Sequence, residues 1–159
     1  MCIKIMFNFN LKQLLISLIF STLTIGILTL LTYKLNLGIF LLASFGATMV
    51  LLYGYPESPF SKPKNIFFGH FITSLIGILF FKFISLPIYI IIPLAVGLGI
   101  AIMIFLNVTH PPAGGNPIIV ISSGANFDYL LSPVISGSII LIFLGILINR
   151  YIIKNRYPS

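Results

Sequence analysis

The stretch that decides the fold is Asn107-Val108-Thr109-His110-Pro111-Pro112-Ala113-Gly114-Gly115-Asn116-Pro117. It lies within residues 83–127, an uncharged and largely apolar run of 45 residues, which is long enough for two membrane crossings and too long for one. Its three prolines and paired glycines interrupt any straight helix. We therefore predict that a membrane segment over residues 88–108 ends here and that a shorter segment over 113–123 follows.

Composition supports a membrane protein. The 159 residues include 9 Lys+Arg and 2 Asp+Glu, so that 7% of the residues are charged and 58% are hydrophobic. Soluble domains carry about 25% charged and 45–50% apolar residues. One cysteine excludes a disulfide scaffold, and continuous apolar runs exclude the alternating pattern of a membrane β-barrel. The chain is predicted to be an all-α polytopic membrane protein, with a single transmembrane domain over residues 1–159.

The charged residues divide the rest of the chain into stretches that each fit one crossing of about 17–25 residues. Together with the two segments above, they predict six membrane segments: 14–33, 37–53, 66–84, 88–108, 113–123 and 131–149. Eleven helical residues reach only about 16 Å, whereas the apolar core of a bilayer is about 30 Å thick. The fifth segment is therefore expected to be a half-helix, a re-entrant hairpin or a broken span.

Basic residues predict the orientation. With six crossings, one side holds seven of them (Lys4, Lys12, Lys62, Lys64, Arg150, Lys154 and Arg156) and the other holds Lys34 and Lys82. The richer side is expected to be cytoplasmic. Four crossings remain an alternative, and five distribute the charges poorly. The prediction is a multi-pass protein of the inner (cytoplasmic) membrane with both termini in the cytoplasm and, lacking a secretory cleavage signal, a retained first span.

Three glycine pairs recur at an offset of 68 residues: Gly46 and Gly114, Gly69 and Gly137, Gly77 and Gly145. They define a first repeat over about 12–84 and a second over about 85–153, each with three segments. Because three is odd, the two repeats are expected to be inverted relative to each other. Inverted repeats with a broken or short second segment are typical of transporters, although glycine also serves helix packing in membranes.

The motif His110-Pro111-Pro112-Ala113-Gly114 resembles the signature of the HPP family of integral membrane proteins. The resemblance extends in order over residues from about 37 to 149, and its other parts are Ser44–Leu52, Pro56–Pro59, Lys62–Asn65 and Gly69-His70. The chain departs from the family pattern at Phe68, where a glycine is usual, and at Gly115-Asn116-Pro117, where many members are richer in alanine and threonine.

The resemblance implies four conserved transmembrane helices, so that the second and fifth predicted segments would be additional. It also implies transport of nitrite, in which plastid and cyanobacterial members are implicated. Formate, chloride and nitrate remain alternative substrates because they differ little from nitrite in size and charge. Passive and proton-linked permeation are both open.

Backbone amides are the predicted ligands of such an anion. A helix N-terminus offers unpaired N–H groups and about half a positive charge, and glycine lets an anion approach closely. We expect the substrate site near the midplane, formed by two matched sets of residues: Gly46, Ala47 and Thr48 in the first repeat, and Gly114, Gly115 and Asn116 in the second. Pro111, Pro112 and Pro117 are the expected structural breaks.

His70 and His110 are the remaining ionisable candidates within the membrane, where such groups suggest function. Because imidazole titrates near pH 6.5, they are expected to gate the inner mouth or to carry a proton with the anion; a purely structural role is the alternative.

Other functions find less support. Glu57 and Asp128 fall on opposite faces and cannot act as a pair, so the chain is predicted not to be an enzyme and to need no metal or cofactor. The basic residues flank apolar spans, which favours contact with the lipid bilayer over nucleic acid. Six short segments are few for a pore, so a homo-oligomer is expected. A non-transporting membrane scaffold or assembly subunit is the alternative function.

Overall fold

The structure is a computed structural model that describes residues 10–158. This part of the chain forms six helical segments and no strand, as predicted. Their bounds are α1 Leu11–Lys34, α2 Ala43–Gly54, α3 Pro63–Phe83, α4 Ile88–Phe105, α5 Asn116–Ser123 and α6 Leu130–Ile153. Two short 3₁₀ helices accompany them, Pro59–Ser61 before α3 and Pro111–Gly115 directly before α5. Lys4, which the sequence predicts to lie on the side that is rich in basic residues, lies outside the described residues.

Four of the six segments (α1, α3, α4 and α6) are long and apolar enough to cross a membrane, with mean hydropathy between 1.8 and 2.7. The short segments are α2 and α5, so the pattern of four long helices and two additional segments agrees with the HPP resemblance. Protein covers 44% of the residues in the most apolar part of α3 and 39% in α6, against 11% in α1 and 22% in α4. Helices α3 and α6 therefore form the centre.

The first long helix of each half ends at an asparagine in the left-handed region of backbone space. Asn36 follows α1 with φ of 51°, and Asn107 follows α4 with φ of 55°. Asparagine adopts this conformation more readily than most residues, because its short side chain can hydrogen-bond locally. Both turns redirect the chain toward a short segment.

The second segment is shorter than predicted. Helix α2 begins only at Ala43, whereas the sequence predicted a segment over 37–53, and residues 35–42 are not helical. The N–H of Phe40 donates to Thr32 Oγ1 at 3.0 Å, and at the other end of α2 the side chain of Ser17 donates to the Tyr53 carbonyl at 3.2 Å. The lead-in and α2 together thus run back along nearly the whole of α1.

The fifth segment also passes from one end of the bundle to the other. Before it, Asn65 in the first turn of α3 donates to the Thr109 carbonyl at 3.0 Å. After it, Lys82 in the last turn of α3 donates to Asn126 Oδ1 at 2.6 Å. The stretch from Thr109 to Asn126 therefore runs alongside α3 and in the same direction, and the chain does not turn back within the bundle at 113–123.

Glycines of α3 make room for the fifth segment. A Cβ atom at Gly69 would lie 2.8 Å from His110 Cβ and 3.5 Å from Ala113 Cβ. A Cβ at Gly77 would lie 2.9 Å from the Cα of Pro117 and 3.1 Å from Val120 Cβ. Side chains at these two positions would push the segment away from α3.

Glycines of α6 make room for the second segment in the same way. A Cβ atom at Gly137 would lie 2.5 Å from the Phe40 carbonyl oxygen and 2.5 Å from the ring of Phe45. A Cβ at Gly145 would lie 2.9 Å from Leu52. Each short segment therefore packs against the third helix of the other half of the chain: α5 packs against α3, and α2 packs against α6.

The two ends of the bundle differ in charge. The end that we call the basic end contains residues 10–12, 54–62, 106–110 and 154–157, and the far end contains residues 35–38, 84–87 and 124–129. The described basic residues of the basic end and the turns next to it are Lys12, Lys62, Lys64, Arg150, Lys154 and Arg156, and those at the far end are Lys34 and Lys82. Both ends of the described chain thus lie at the basic end.

Candidate functional site

Six polar side chains are buried together where α2, α3 and the start of α5 meet. Five of them have no exposed surface and the sixth, Ser44, is 8% exposed. We call this group the histidine cluster: Ser44, Thr48, His70, Thr73, His110 and Asn116. Hydrogen bonds within the cluster matter because an unsatisfied polar group costs several kcal/mol in a membrane interior.

Helical spacing and one proline turn bring these side chains together. Ser44 and Thr48 lie one turn apart on α2 and therefore share a face, as do His70 and Thr73 on α3. His110 immediately precedes the Pro111–Gly115 turn, which places Asn116 at the first residue of α5.

Thr48 lies between the two imidazoles. Its Oγ1 is 3.1 Å from His70 Nε2 and 2.9 Å from His110 Nε2. The two ring centroids are 4.9 Å apart and the rings are inclined at 67°. One hydroxyl therefore links two histidines that are distant in the sequence.

Asn116 connects the other side of the cluster. Its Oδ1 accepts a hydrogen bond from Ser44 Oγ at 2.6 Å. Its Nδ2 lies 3.0 Å from His70 Nδ1, 3.2 Å from the His70 carbonyl and 3.1 Å from Thr73 Oγ1. Because the His70 carbonyl can only accept, this geometry fixes which end of the amide faces His70.

The loop between α2 and α3 closes the cluster toward the basic end. His110 Nδ1 donates to the Phe60 carbonyl at 2.8 Å. Asn65 donates to the neighbouring Pro59 carbonyl at 3.1 Å, and the hydroxyl of Tyr157 donates to the Ser61 carbonyl at 2.7 Å. Hydrogen bonds from Asn65 and from Tyr157 thus fix the loop in the position in which it covers His110.

The cluster contains no fixed charge. Burial lowers the pKa of His110, which lies in the loop between α4 and α5, to about 4, and its hydrogen bond to the Phe60 carbonyl opposes this shift. His110 is therefore neutral near pH 7. Within residues 10–158, no group of three or more His, Cys, Asp or Glu side chains is placed to hold a metal ion.

The structure brings together four of the residues singled out from the sequence, namely Thr48, His70, His110 and Asn116. It does not bring Gly46 and Ala47 to them, because these residues lie on the exposed side of α2. Gly46 instead lines a groove of about 810 Å³ between α1 and α2.

The remaining predicted positions belong to the turn before α5. Gly114 and Gly115 are half-buried there, and Pro111 and Pro112 begin the turn without offering any N–H group. Pro117 is buried in the first turn of α5. The N-terminus of α2 lies at Ala43, so the Gly46, Ala47 and Thr48 amides fall at or beyond the end of its first turn. Anion binding by the six predicted residues stays a prediction.

Sequence reasoning missed three participants: Ser44, Thr73 and the Phe60 carbonyl. The spacing of Ser44 to Thr48 and of His70 to Thr73 predicts shared helix faces, so the two hydroxyls could have been found. No sequence signal marks the Phe60 carbonyl, because every residue carries one.

A family model for the HPP transmembrane region matches residues 6–158. The chain belongs to the HPP family. Two transmembrane proteins of Dictyostelium discoideum are similar to it, one 32% identical over 148 residues and the other 30% identical over 125. These matches cover 87% and 74% of this chain, and 48% and 44% of the relatives. This HPP chain therefore spans about half the length of the curated relatives it matches. No solved structure matches it.

Proposed function

We propose that this chain carries a small inorganic anion across a membrane and that the histidine cluster is part of its route. Nitrite is the first candidate because of the family resemblance described above. The observation that carries the proposal is the position of the cluster. Its side chains connect the two short segments, α2 and α5, inside a bundle of apolar helices. Ionisable side chains in such a place are costly and most often functional.

The chemistry of the cluster suits transient binding of an anion. Thr48 and Asn116 supply hydroxyl and amide donors, and no fixed cation among the cluster side chains would trap a charged substrate. Conduction needs binding that is weak enough to release. We infer that the anion passes beside Thr48 and Asn116, with the histidines next to it.

The inverted-repeat organisation forms part of this proposal, and the glycine contacts support it. Gly69 contacts Ala113. The residue 68 positions after Gly69 is Gly137, the residue 68 positions before Ala113 is Phe45, and these two residues are also in contact. The same operation turns the contact of Gly77 with Val120 into that of Gly145 with Leu52. Thr48 and Asn116 are counterparts at this offset as well, and both belong to the histidine cluster.

We further propose that the basic end faces the cytoplasm, because positive residues favour that side, and that the membrane is a cell inner membrane. A homo-oligomer remains part of the proposal. Helix α1 supports it, because protein covers only 11% of its most apolar part and leaves a long face free.

Purified protein in liposomes tests the function. We expect a nitrite gradient to drive uptake well above that of empty liposomes, and Asn116→Ala and His110→Ala to reduce the rate at least about tenfold. Asn126→Ala is the matched control, because Asn126 lies at the far end and bonds to Lys82 outside the cluster. Monodisperse elution of each variant shows that it folds.

Two results would contradict the proposal in different ways. Wild-type protein that moves neither nitrite nor formate, chloride or nitrate would favour the scaffold function. Wild-type transport that both cluster variants retain in full would keep the function and remove the cluster from the route.

A further inference from the structure

Hydrogen bonds fix the ring tautomer of His110. The Phe60 carbonyl can only accept, so the atom facing it at 2.8 Å, His110 Nδ1, carries the ring proton. In the neutral ring, Nε2 is then an acceptor. It accepts a hydrogen bond from the hydroxyl of Thr48, whose Oγ1 is 2.9 Å away.

The tautomer of His70 is the opposite one. Asn116 Nδ2 can only donate, so His70 Nδ1, 3.0 Å away, is an acceptor. The proton of the neutral ring is therefore on Nε2, which donates to Thr48 Oγ1 at 3.1 Å. Thr48 is thereby an acceptor toward His70 and a donor toward His110.

The result is an unbroken chain of hydrogen bonds that all point the same way. It runs from the Asn116 amide through His70, Thr48 and His110 to the Phe60 carbonyl at the basic end. The Thr48 hydroxyl has one alternative acceptor, the Ser44 carbonyl, but this lies farther away at 3.2 Å. The three inner members, His70, Thr48 and His110, can pass a proton along, because each can give one proton as it receives another.

We propose that His70, Thr48 and His110 form a proton relay that couples proton movement to the anion. This inference rests on the function proposed above and adds the coupling ion and its path. The direction of the bonds sets the relay to accept a proton beside Asn116 and to release one at the basic end.

The transfer balances at every atom. A proton binds His70 Nδ1, and the Nε2–H proton of the same ring moves to Thr48 Oγ1. The hydroxyl proton of Thr48 moves to His110 Nε2, and the Nδ1–H proton of His110 leaves to a water molecule that replaces the Phe60 carbonyl as its acceptor at the basic end. Each group gains one proton and loses one, so no oxidant, reductant or further reactant is needed.

The anion opens the relay. In the structure, His70 Nδ1 is occupied by the Asn116 amide and cannot accept a proton. An anion that takes over this amide frees Nδ1, and the protonated His70 then stabilises the anion beside it. The two histidines are the ionisable members of the cluster, and the charged residues on the loop that carries Phe60 are Glu57 and Lys62.

The tautomers can be measured directly because the sequence contains two histidines in all. Protein labelled with ¹⁵N-histidine and purified through a tag without histidine gives two ring systems in the NMR spectrum. We expect one ring protonated at Nδ1 and the other at Nε2 near neutral pH, with His110→Asn removing the first. Two rings of the same tautomer would overturn the relay.

Thr48→Val breaks the relay at its centre while leaving both histidines, and Thr48→Ser keeps the hydroxyl as the matched control. Liposomes that contain a pH-sensitive dye report proton movement during nitrite uptake. Because Thr48 also lies on the proposed anion route, the readout is the number of protons moved per nitrite taken up; we expect Thr48→Val to lower this ratio at least about tenfold and Thr48→Ser to retain it.

The outcomes separate the two proposals. Nitrite uptake by the wild type without proton movement, or a wild-type number of protons per nitrite in Thr48→Val, overturns the relay and leaves the transport function standing. A wild type that moves no anion overturns the function and the relay with it.

Discussion

Phe60 contacts the histidine cluster through its backbone carbonyl, which accepts a hydrogen bond from His110. This contact sets the tautomer of His110, and the Asn116 amide sets that of His70. The sequence predicted that both histidines matter because ionisable groups are rare in membranes. It could not predict that they meet, because residues 70 and 110 approach only after α4 has turned the chain back toward α3.

The lowered pKa of His110 predicts how stability responds to acid. The folded protein holds this ring neutral down to about pH 4, whereas the unfolded chain protonates it near 6.5. The free energy of unfolding should therefore fall as the pH drops from 6.5 toward 4, by at most about 1.4 kcal/mol per pH unit for this group. Thermal unfolding in detergent measures it.

His110→Asn is the control for this prediction, because an amide can still donate to the Phe60 carbonyl but does not titrate. The midpoint temperature of the variant should depend less on pH than that of the wild type. Equal slopes for the two proteins would show that protonation of His110 does not contribute.

At the level of elements, the sequence predicted the short fifth segment well and the second one less well. Prolines and paired glycines mark the start of α5 in the sequence. In the structure, the turn that directly precedes α5 begins at Pro111. The second segment was predicted over 37–53, because hydropathy does not separate an apolar helix from an apolar extended stretch. Asn36 and Gly38, both with positive φ, interrupt the predicted helix at its start, and Leu42 directly before α2 is still extended.

The seat of α5 on α3 predicts different outcomes for two glycines. Gly77→Ala would place a Cβ 2.9 Å from the backbone of Pro117, and neither helix can yield easily, so we expect a loss of about 1–3 kcal/mol in stability. Gly97→Ala in α4 meets nothing within 4 Å and should be neutral or slightly stabilising. Thermal unfolding of both variants in the same detergent makes the comparison.

Equal stability of the two variants would mean that α5 can move away from α3 without cost. A larger loss for Gly97→Ala would instead point to a contact of α4 outside the single chain, such as a second copy.

For the whole molecule, the distribution of charge was predictable because basic residues must remain near the membrane surface. The division of the described basic residues between the two ends follows the sequence prediction. Glu57 and Asp128 lie at opposite ends, as predicted, since the loops that carry them follow α2 and α5. The packing of α5 against α3 and of α2 against α6 was not predictable. The spacing of the glycines shows where a segment can approach closely, but not which segment does so.

Labelling from one side tests the proposed topology. In a Cys2→Ser background, Glu57→Cys and Asp128→Cys introduce single thiols at the basic end and the far end. We expect a membrane-impermeant maleimide added to intact cells to label Asp128→Cys, and to label Glu57→Cys only after the membrane is opened. Labelling of both from outside, or the reverse pattern, would contradict six crossings with the basic end in the cytoplasm.

The close contacts at the glycines of α6 also affect the order of assembly during synthesis. Helix α2 emerges from the ribosome far ahead of α6, yet Gly137 and Gly145 on α6 form its seat. A nascent chain that stops before α6 thus exposes α2 and its non-helical lead-in without their partner. The six segments reach their final arrangement only when α6 inserts, so truncation within α6 should leave a chain that quality-control proteases remove.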